Sequence, residues 1–256
     1  MDKELQAVVE QALAGVEKPF ATFDFDGTCI ANDVAEATLA HLCKNKLLKN
    51  MALLGENIGE SATYHARVLQ RYYELLETGG MFDAYLFAAC AFAGFTLNEA
   101  ETHVSAAIDA EGEILEQAEL YGVSIAHGLA ARQAVKELAQ SLREKGVAIW
   151  TISASPEVAV RVAMKRFGYE GELVGLRNKV VDGILTDVIE EPYSIKDGKV
   201  ECIKKYINPT KRPILAIGDS SNDQPMIEYA QIPVVVDKGN SLAKLARERG
   251  WRLISQ

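Results

Sequence analysis

Phe20-Ala21-Thr22-Phe23-Asp24-Phe25-Asp26-Gly27-Thr28 is the stretch on which the reading of this 256-residue chain turns. Phe20–Phe25 is an apolar run of strand length, and it delivers two acids to a glycine turn. Three further apolar runs lie downstream: Val147–Ile152, Pro213–Ile217 and Ile232–Val236. Helical stretches separate them. One carries Ala131, Val135, Leu138 and Leu142 on a single face and stops at Gly146; another lies near Pro225–Ala230. Continuous apolar strands alternating with helices predict a parallel sheet covered on both faces, that is, a doubly wound α/β core of Rossmann-like type. Ser155-Pro156-Glu157 reads as a helix start with Ser155 at the N-cap.

Residues 32–127 interrupt that alternation with helical periodicity and almost no strand signal. Thr96-Leu97-Asn98-Glu99 is a capping box, and aromatics crowd between Tyr64 and Phe95. The expected organisation is an α/β core from residues 1–31 and 128–256, with an all-helical insertion, 32–127, after the first strand. Lys179–Thr186 reads as a hairpin turning at Asp182-Gly183.

Composition narrows the function. Lys plus Arg number 27 against 36 Asp plus Glu, a net charge of −9, which disfavours non-specific binding to nucleic acid or anionic membrane. The four cysteines, Cys29, Cys43, Cys90 and Cys202, are too dispersed for a zinc knuckle or disulfide framework and suit a reducing compartment. His41, His65, His103 and His127 show no metal-binding spacing. The opening MDKELQAVVEQAL reads as a helix and not a secretory signal, and the apolar run Tyr85–Phe95 is far below the ~20 residues of a spanning helix. The expectation is a soluble, cytoplasmic protein; nothing identifies a protein partner.

Ligands of open α/β sheets bind beyond the carboxyl ends of the strands. The residues that follow the apolar runs are Asp24 and Asp26, then Ser153-Ala154-Ser155, then Gly218-Asp219-Ser220-Ser221-Asn222-Asp223, with Lys199 opening a helix between the last two. Clustered carboxylates need a cation, and hard oxygen ligands suit Mg²⁺ together with a substrate phosphate. A carboxylate can act as a nucleophile, and a second one two residues on as acid and base. A lysine and a serine would hold the phosphoryl oxygens. Lys196 is an alternative to Lys199, which is favoured because a helix start also offers free N–H groups.

DFDGT, the serine after a mid-chain strand, the lysine at a helix start and GDSSND follow one another as in the haloacid dehalogenase superfamily of phosphatases, which this chain resembles. The resemblance implies that Asp24 is the nucleophile forming an aspartyl-phosphate and Asp26 the general acid and base, its carbonyl helping to bind Mg²⁺. It implies that Ser153 and Lys199 hold the phosphoryl group, Asp219 completes the metal carboxylates, Asp223 orients Lys199 or the metal waters, and Asn222 lies near substrate. The placement of the insertion resembles the helical cap of phosphoserine phosphatase-like members, which implies a small phosphorylated metabolite as substrate. Phosphoserine phosphatases carry an acid where this chain has Asp33 and use a cap arginine; Arg67 and Arg71 are the candidates. A bacterial phosphorylcholine phosphatase group is similar over a longer span, through Asp33-x-x-Glu36, the SAS motif and Pro192-Tyr193…Gly198-Lys199-Val200, but differs at Gly27, where its pattern has Asn. Asp33 and Glu36, with the cap aromatics, would then recognise a substrate amine; equally, they form a capping box for the first cap helix. A phosphotransferase or a non-catalytic metabolite-binding relative is the alternative of another class.

Overall fold

The computed structural model describes residues 3–55 and 63–255. After helix α1 (Lys3–Leu13), strand β1 (Phe20–Phe23) is buried along its whole length, and a tight turn leads to the two-residue β2 (Ile30–Ala31). Four helices follow: α2 (Val34–Lys44), α3 (Tyr64–Glu77), α4 (Met81–Cys90) and α5 (Leu97–Glu111). Next come β3 (Glu116–Leu120), β4 (Val123–His127), β5 (Ala130–Ala131), α6 (Gln133–Glu144), β6 (Ala148–Pro156), α7 (Glu157–Phe167) and β7 (Glu172–Leu176). The chain ends through β8 (Asn178–Val181), β9 (Ile184–Ile189), α8 (Asp197–Cys202) with a π turn over Ile203–Ile207, β10 (Leu215–Gly218), α9 (Gln224–Tyr229), β11 (Ile232–Val236), α10 (Ser241–Arg249) and β12 (Arg252–Ile254).

Six strands form one parallel sheet in the order β12-β11-β10-β1-β6-β7. The four apolar runs of the sequence are its four inner strands. Their alternate side chains enter two cores: Phe23, Leu215 and Ile217 on one face, Phe20, Ala216 and Ile152 on the other. Burying one such side chain contributes about 1.5–3 kcal/mol, so both faces stabilise the sheet. The edge strands β7 and β12 escape the sequence pattern because each carries a charged residue, Glu172 or Arg252, and half-buried ones beside it. Central β1 pairs Phe23 with Ile217 on one side and Thr151 on the other. Asp24, Ser153 and Asp219 therefore emerge together at one sheet edge.

Between residues 32 and 127 the expectation of helix throughout is met from Val34 to Glu111 among the described residues, and corrected after that. Glu116–Leu120 and Val123–His127 form an antiparallel hairpin. Its first strand is mostly exposed and poor in β-branched residues, and its turn, Tyr121-Gly122, has positive φ at both positions, the geometry that matches strand twist. The predicted capping box is present: Thr96 Oγ1 accepts from Glu99 N–H at 3.2 Å, and Glu99 Oε2 accepts from Thr96 N–H at 2.9 Å. Antiparallel pairing of β2 with β5 joins the two ends of this segment, Ile30 against Ala131 and Ala31 against Ala130.

The hairpin expected at Lys179–Thr186 is β8–β9, turning at Asp182-Gly183, both at positive φ. It packs against the insertion: Gly94 N–H donates to Leu185 O and Leu185 N–H to Phe95 O, each at 2.8 Å, and Asn178 Nδ2 donates to Ala89 O at 2.9 Å. Residues 178–189 thus lie against α4 and the 94–96 turn although they follow the core in sequence.

Candidate active site

The turn after β1 is wound on one carbonyl: Phe25 O accepts from the N–H groups of Thr28, Cys29 and Ile30. Gly27 adopts φ +75°, and a Cβ there would meet Asp219 Oδ2 at 2.6 Å, so glycine is required twice over. The turn aims Asp24 and Thr28 inward. Asp24 Oδ1 accepts from Lys199 Nζ at 2.7 Å and Oδ2 from Thr28 Oγ1 at 2.8 Å; the same hydroxyl lies 3.0 Å from Asp219 Oδ1.

Lys199 is fully buried and donates to Asp24, to Asp223 Oδ1 at 2.5 Å and to Ile152 O at 2.9 Å, which uses all three ammonium hydrogens. Burial alone would lower its pKa, but the Asp223 and Asp24 carboxylates outweigh that and raise it, so the ammonium stays charged. Lys196, the alternative, stands at φ +49°, and its backbone N–H donates to Asn222 Oδ1 at 2.9 Å. Asp223 Oδ2 accepts from the N–H groups of Asp219 and Ser220, which fixes the loop after β10. Oxygen atoms of Asp24, Asp219 and Asp223 all lie within 4.8 Å of one another. Burial and the Asp223 charge push Asp24 up to about 8 despite Lys199. Three crowded hard-oxygen ligands, strained by mutual repulsion, fit a small divalent cation.

Asp26 is turned the other way. Its Oδ1 accepts from Val34 N–H, at the first turn of α2, at 2.7 Å; its Oδ2 accepts from Ser155 Oγ at 2.7 Å and from Ser153 Oγ at 3.3 Å. Burial, then the Asp33 charge, hold its pKa well above the usual carboxylate range. Ser155 is therefore no N-cap, as the sequence led us to expect. Strand β6 runs on to Pro156, which caps α7 itself, and strand parity puts Ser153 and Ser155 on one face toward Asp26.

A cavity of about 250 Å³ adjoins these groups, lined by Asp24, Asp26 and Ser153 of the core and by Asp33, Glu36 and Tyr85 of the insertion. Asn222 also lines it. Asp33 caps α2, accepting from Ala35 and Glu36 N–H at 2.7 and 2.9 Å. Glu36 does not complete the box. Its carboxylate accepts from the Tyr73 hydroxyl, and burial with the Asp33 charge raises its pKa to about 7. Arg67 and Arg71 line a different, larger cleft of about 740 Å³ on the insertion, and not the cavity over Asp24.

Two residues that sequence reasoning left without a role belong here, Thr28 and Lys238, whose ammonium lies 2.7 Å from Asp219 Oδ2, and Tyr85 is the one of the insertion's aromatics that lines the cavity among the described residues. The strand-end rule applied to β11 would have found Lys238, two residues past Val236. Tyr85 carried no local signal, since only tertiary packing brings α4 over the sheet.

A family model described as haloacid dehalogenase-like hydrolase matches residues 21–228. The chain belongs to the haloacid dehalogenase-like hydrolases. Among relatives within reach of this family, the phosphorylcholine phosphatase of Pseudomonas aeruginosa is 27% identical, covering 85% of this chain and 72% of that one. A phosphoserine phosphatase of Mycobacterium tuberculosis is 32% identical over 122 residues, 46% of this chain and 39% of that one. A functionally unknown protein from Anaerococcus prevotii superposes with a TM-score of 0.72 at 21% identity, covering 100% of this chain and 92% of that one, a likeness of fold. Among the described residues of this hydrolase, no helix is long and apolar enough to cross a membrane.

Proposed function

We propose that this hydrolase is a Mg²⁺-dependent phosphatase that cleaves a small, amine-bearing phosphomonoester of the phosphocholine or phosphoethanolamine kind through an aspartyl-phosphate on Asp24. The coarser part, a phosphoric monoester hydrolase, follows from the family and its phosphatase-named relatives. The observation that carries the finer part is the division of labour between two carboxyls two residues apart. Burial raises the pKa of both, but Asp24 is ion-paired with Lys199, whereas Asp26, among the described residues, has no ammonium against it and is bonded to two serines and the Val34 N–H.

Asp24 would attack phosphorus as the bond from phosphorus to the ester oxygen breaks, and Asp26 would give its proton to the departing alcohol. Asp26, now ionised, would take a proton from water as that water attacks the aspartyl-phosphate, releasing inorganic phosphate and restoring Asp24. Ser153 would hold a transferring oxygen, and Lys199 would do so by turning over to it the hydrogen it now gives to Asp24. Asp24 and Asp219, with the Asp26 carbonyl, would hold Mg²⁺, which supplies charge neutralisation and polarisation of the phosphoryl group. Asn222 and Asp223 would fix the loop beneath, through Lys196 N–H and Lys199.

Asp33, Glu36 and Tyr85 bring two carboxyls and one aromatic ring to the cavity that Asp24 and Asp26 line, a setting for an organic cation. Among the described residues, the cations lining the cavity come down to Lys238, which is paired with Asp219, and this favours a substrate without a carboxylate of its own. The test is phosphate release with Mg²⁺ from phosphocholine, phosphoethanolamine, phosphoserine and sugar phosphates, with Asp24→Asn as blank. Preference for the amine esters lacking a carboxylate is expected; turnover of sugar phosphates alone would discard the cation subsite and keep the chemistry.

A further inference from the structure

Lys238 follows β11 at the same sheet edge as the catalytic carboxylates, and its ammonium lies 2.7 Å from Asp219 Oδ2. The pairing is built into two loops. An ideal Cβ at residue 27 would stand 2.5 Å from Lys238 Nζ, so the turn after β1 leaves the space the ammonium takes. Unlike Lys199, which is fully enclosed, the Lys238 side chain is 28% exposed and lines the cavity. Neither the nucleophile nor the proton donor touches it: Asp24 is held by Lys199 and Thr28, Asp26 by Val34, Ser153 and Ser155.

We propose that Lys238 is a resident counter-cation that competes with the divalent ion for Asp219 and thereby sets how tightly that ion is held. This rests on Asp219 being a metal ligand, as proposed above. Two effects oppose each other. An ammonium on Oδ2 helps to orient the carboxylate, which favours metal binding; it also repels a second cation drawing on the same group. Position is secured without it, because Asp223 accepts from the Asp219 N–H, Asn240 Nδ2 donates to the Asp219 carbonyl at 2.8 Å, and the Thr28 hydroxyl lies 3.0 Å from Asp219 Oδ1. A positive charge within ~4–6 Å weakens a carboxylate's hold on a proton by roughly 10- to 1000-fold, and a dication is repelled more strongly still. Repulsion therefore wins. The lysine keeps the crowded acids in register when the ion leaves and lets the ion exchange instead of being locked in.

The experiment is calorimetric titration of Mg²⁺, without substrate, into the full chain stripped with EDTA, comparing the parent with Lys238→Met, Lys238→Gln, Lys238→Arg and Asp219→Asn. Lys238→Met and Lys238→Gln should bind Mg²⁺ about tenfold more tightly or better, while Lys238→Arg stays near the parent. Stripped Lys238→Met should also melt below the parent and gain more in Tm on adding Mg²⁺. Should Lys238→Met fail to fold, Lys238→Gln against Lys238→Arg decides. Equal or weaker binding by the uncharged variants, in a parent that binds Mg²⁺ and loses it in Asp219→Asn, overturns the competition and leaves the metal reading standing. A parent that binds no Mg²⁺ overturns both.

Discussion

Two carboxyls two residues apart stand in different surroundings, which suits the opposite tasks proposed for them. Asp24 has an ammonium and a hydroxyl as partners, and Asp24→Asn removes the attacking charge while keeping both contacts. Turnover should fall at least about 10³-fold with the melting temperature nearly unchanged, as stopped-flow and calorimetry would read. Ser155→Ala removes the 2.7 Å hydrogen bond to Asp26, and kcat should drop by about tenfold with KM little altered. At Glu36 the sign of the pH effect follows from the raised value near 7. Protonation below that pH removes the negative charge a cation needs. KM for a cationic ester should therefore climb as pH falls below 7, and Glu36→Gln should flatten that dependence while leaving p-nitrophenyl phosphate unaffected. The same raised value means that burying this carboxyl favours the fold most below its ordinary range near 4.5, with the advantage lost as pH rises through 7. Asp24, Asp26, Asp219 and Lys199 were legible because each follows an apolar run or opens a helix. Ser155 was misread because a serine before proline and glutamate satisfies the local signal for a cap, and only the length of β6 decides otherwise.

At the scale of elements, the inner strands announced themselves by burial on both faces, whereas β3, β4, β7 and β12 are held by neighbours more than by their own composition. Local chemistry was read correctly where it is self-contained. Thr96 and Glu99 bond each other within one helical turn, so the capping box needs no tertiary partner. Thr96→Ala should lower stability by about 1 kcal/mol in a denaturant melt and leave kcat alone, since α5 begins far from the cavity. Asp33 and Glu36 show the opposite case. Their spacing reads as a box, yet Tyr73 on α3 draws the Glu36 carboxylate away, and a contact across 37 residues leaves no trace in the motif.

For the whole molecule, a net charge of −9 includes a knot of buried acids, relieved within the protein by two ammonium groups. EDTA should abolish hydrolysis reversibly and lower the melting temperature; Mg²⁺ at a hundredfold excess over its Kd should restore about 2.7 kcal/mol of stability. A rate and melt indifferent to EDTA would remove Asp219 from the metal site. The clasp of β2 on β5 has a bearing beyond architecture. Closing a long excursion adds free energy only with the logarithm of its length, and here the excursion is closed by backbone bonds at its root. For the pairing of β1 with β6 the length of the excursion therefore matters little, while α7, β6 and β9 also rest on its helices. Grafting another segment between Ala31 and Ala130 that still covers α7 and β9 should leave the pairing of β1 with β6 undisturbed, so on the reading proposed above substrate choice would be transplantable, separable from the acids proposed to break the ester.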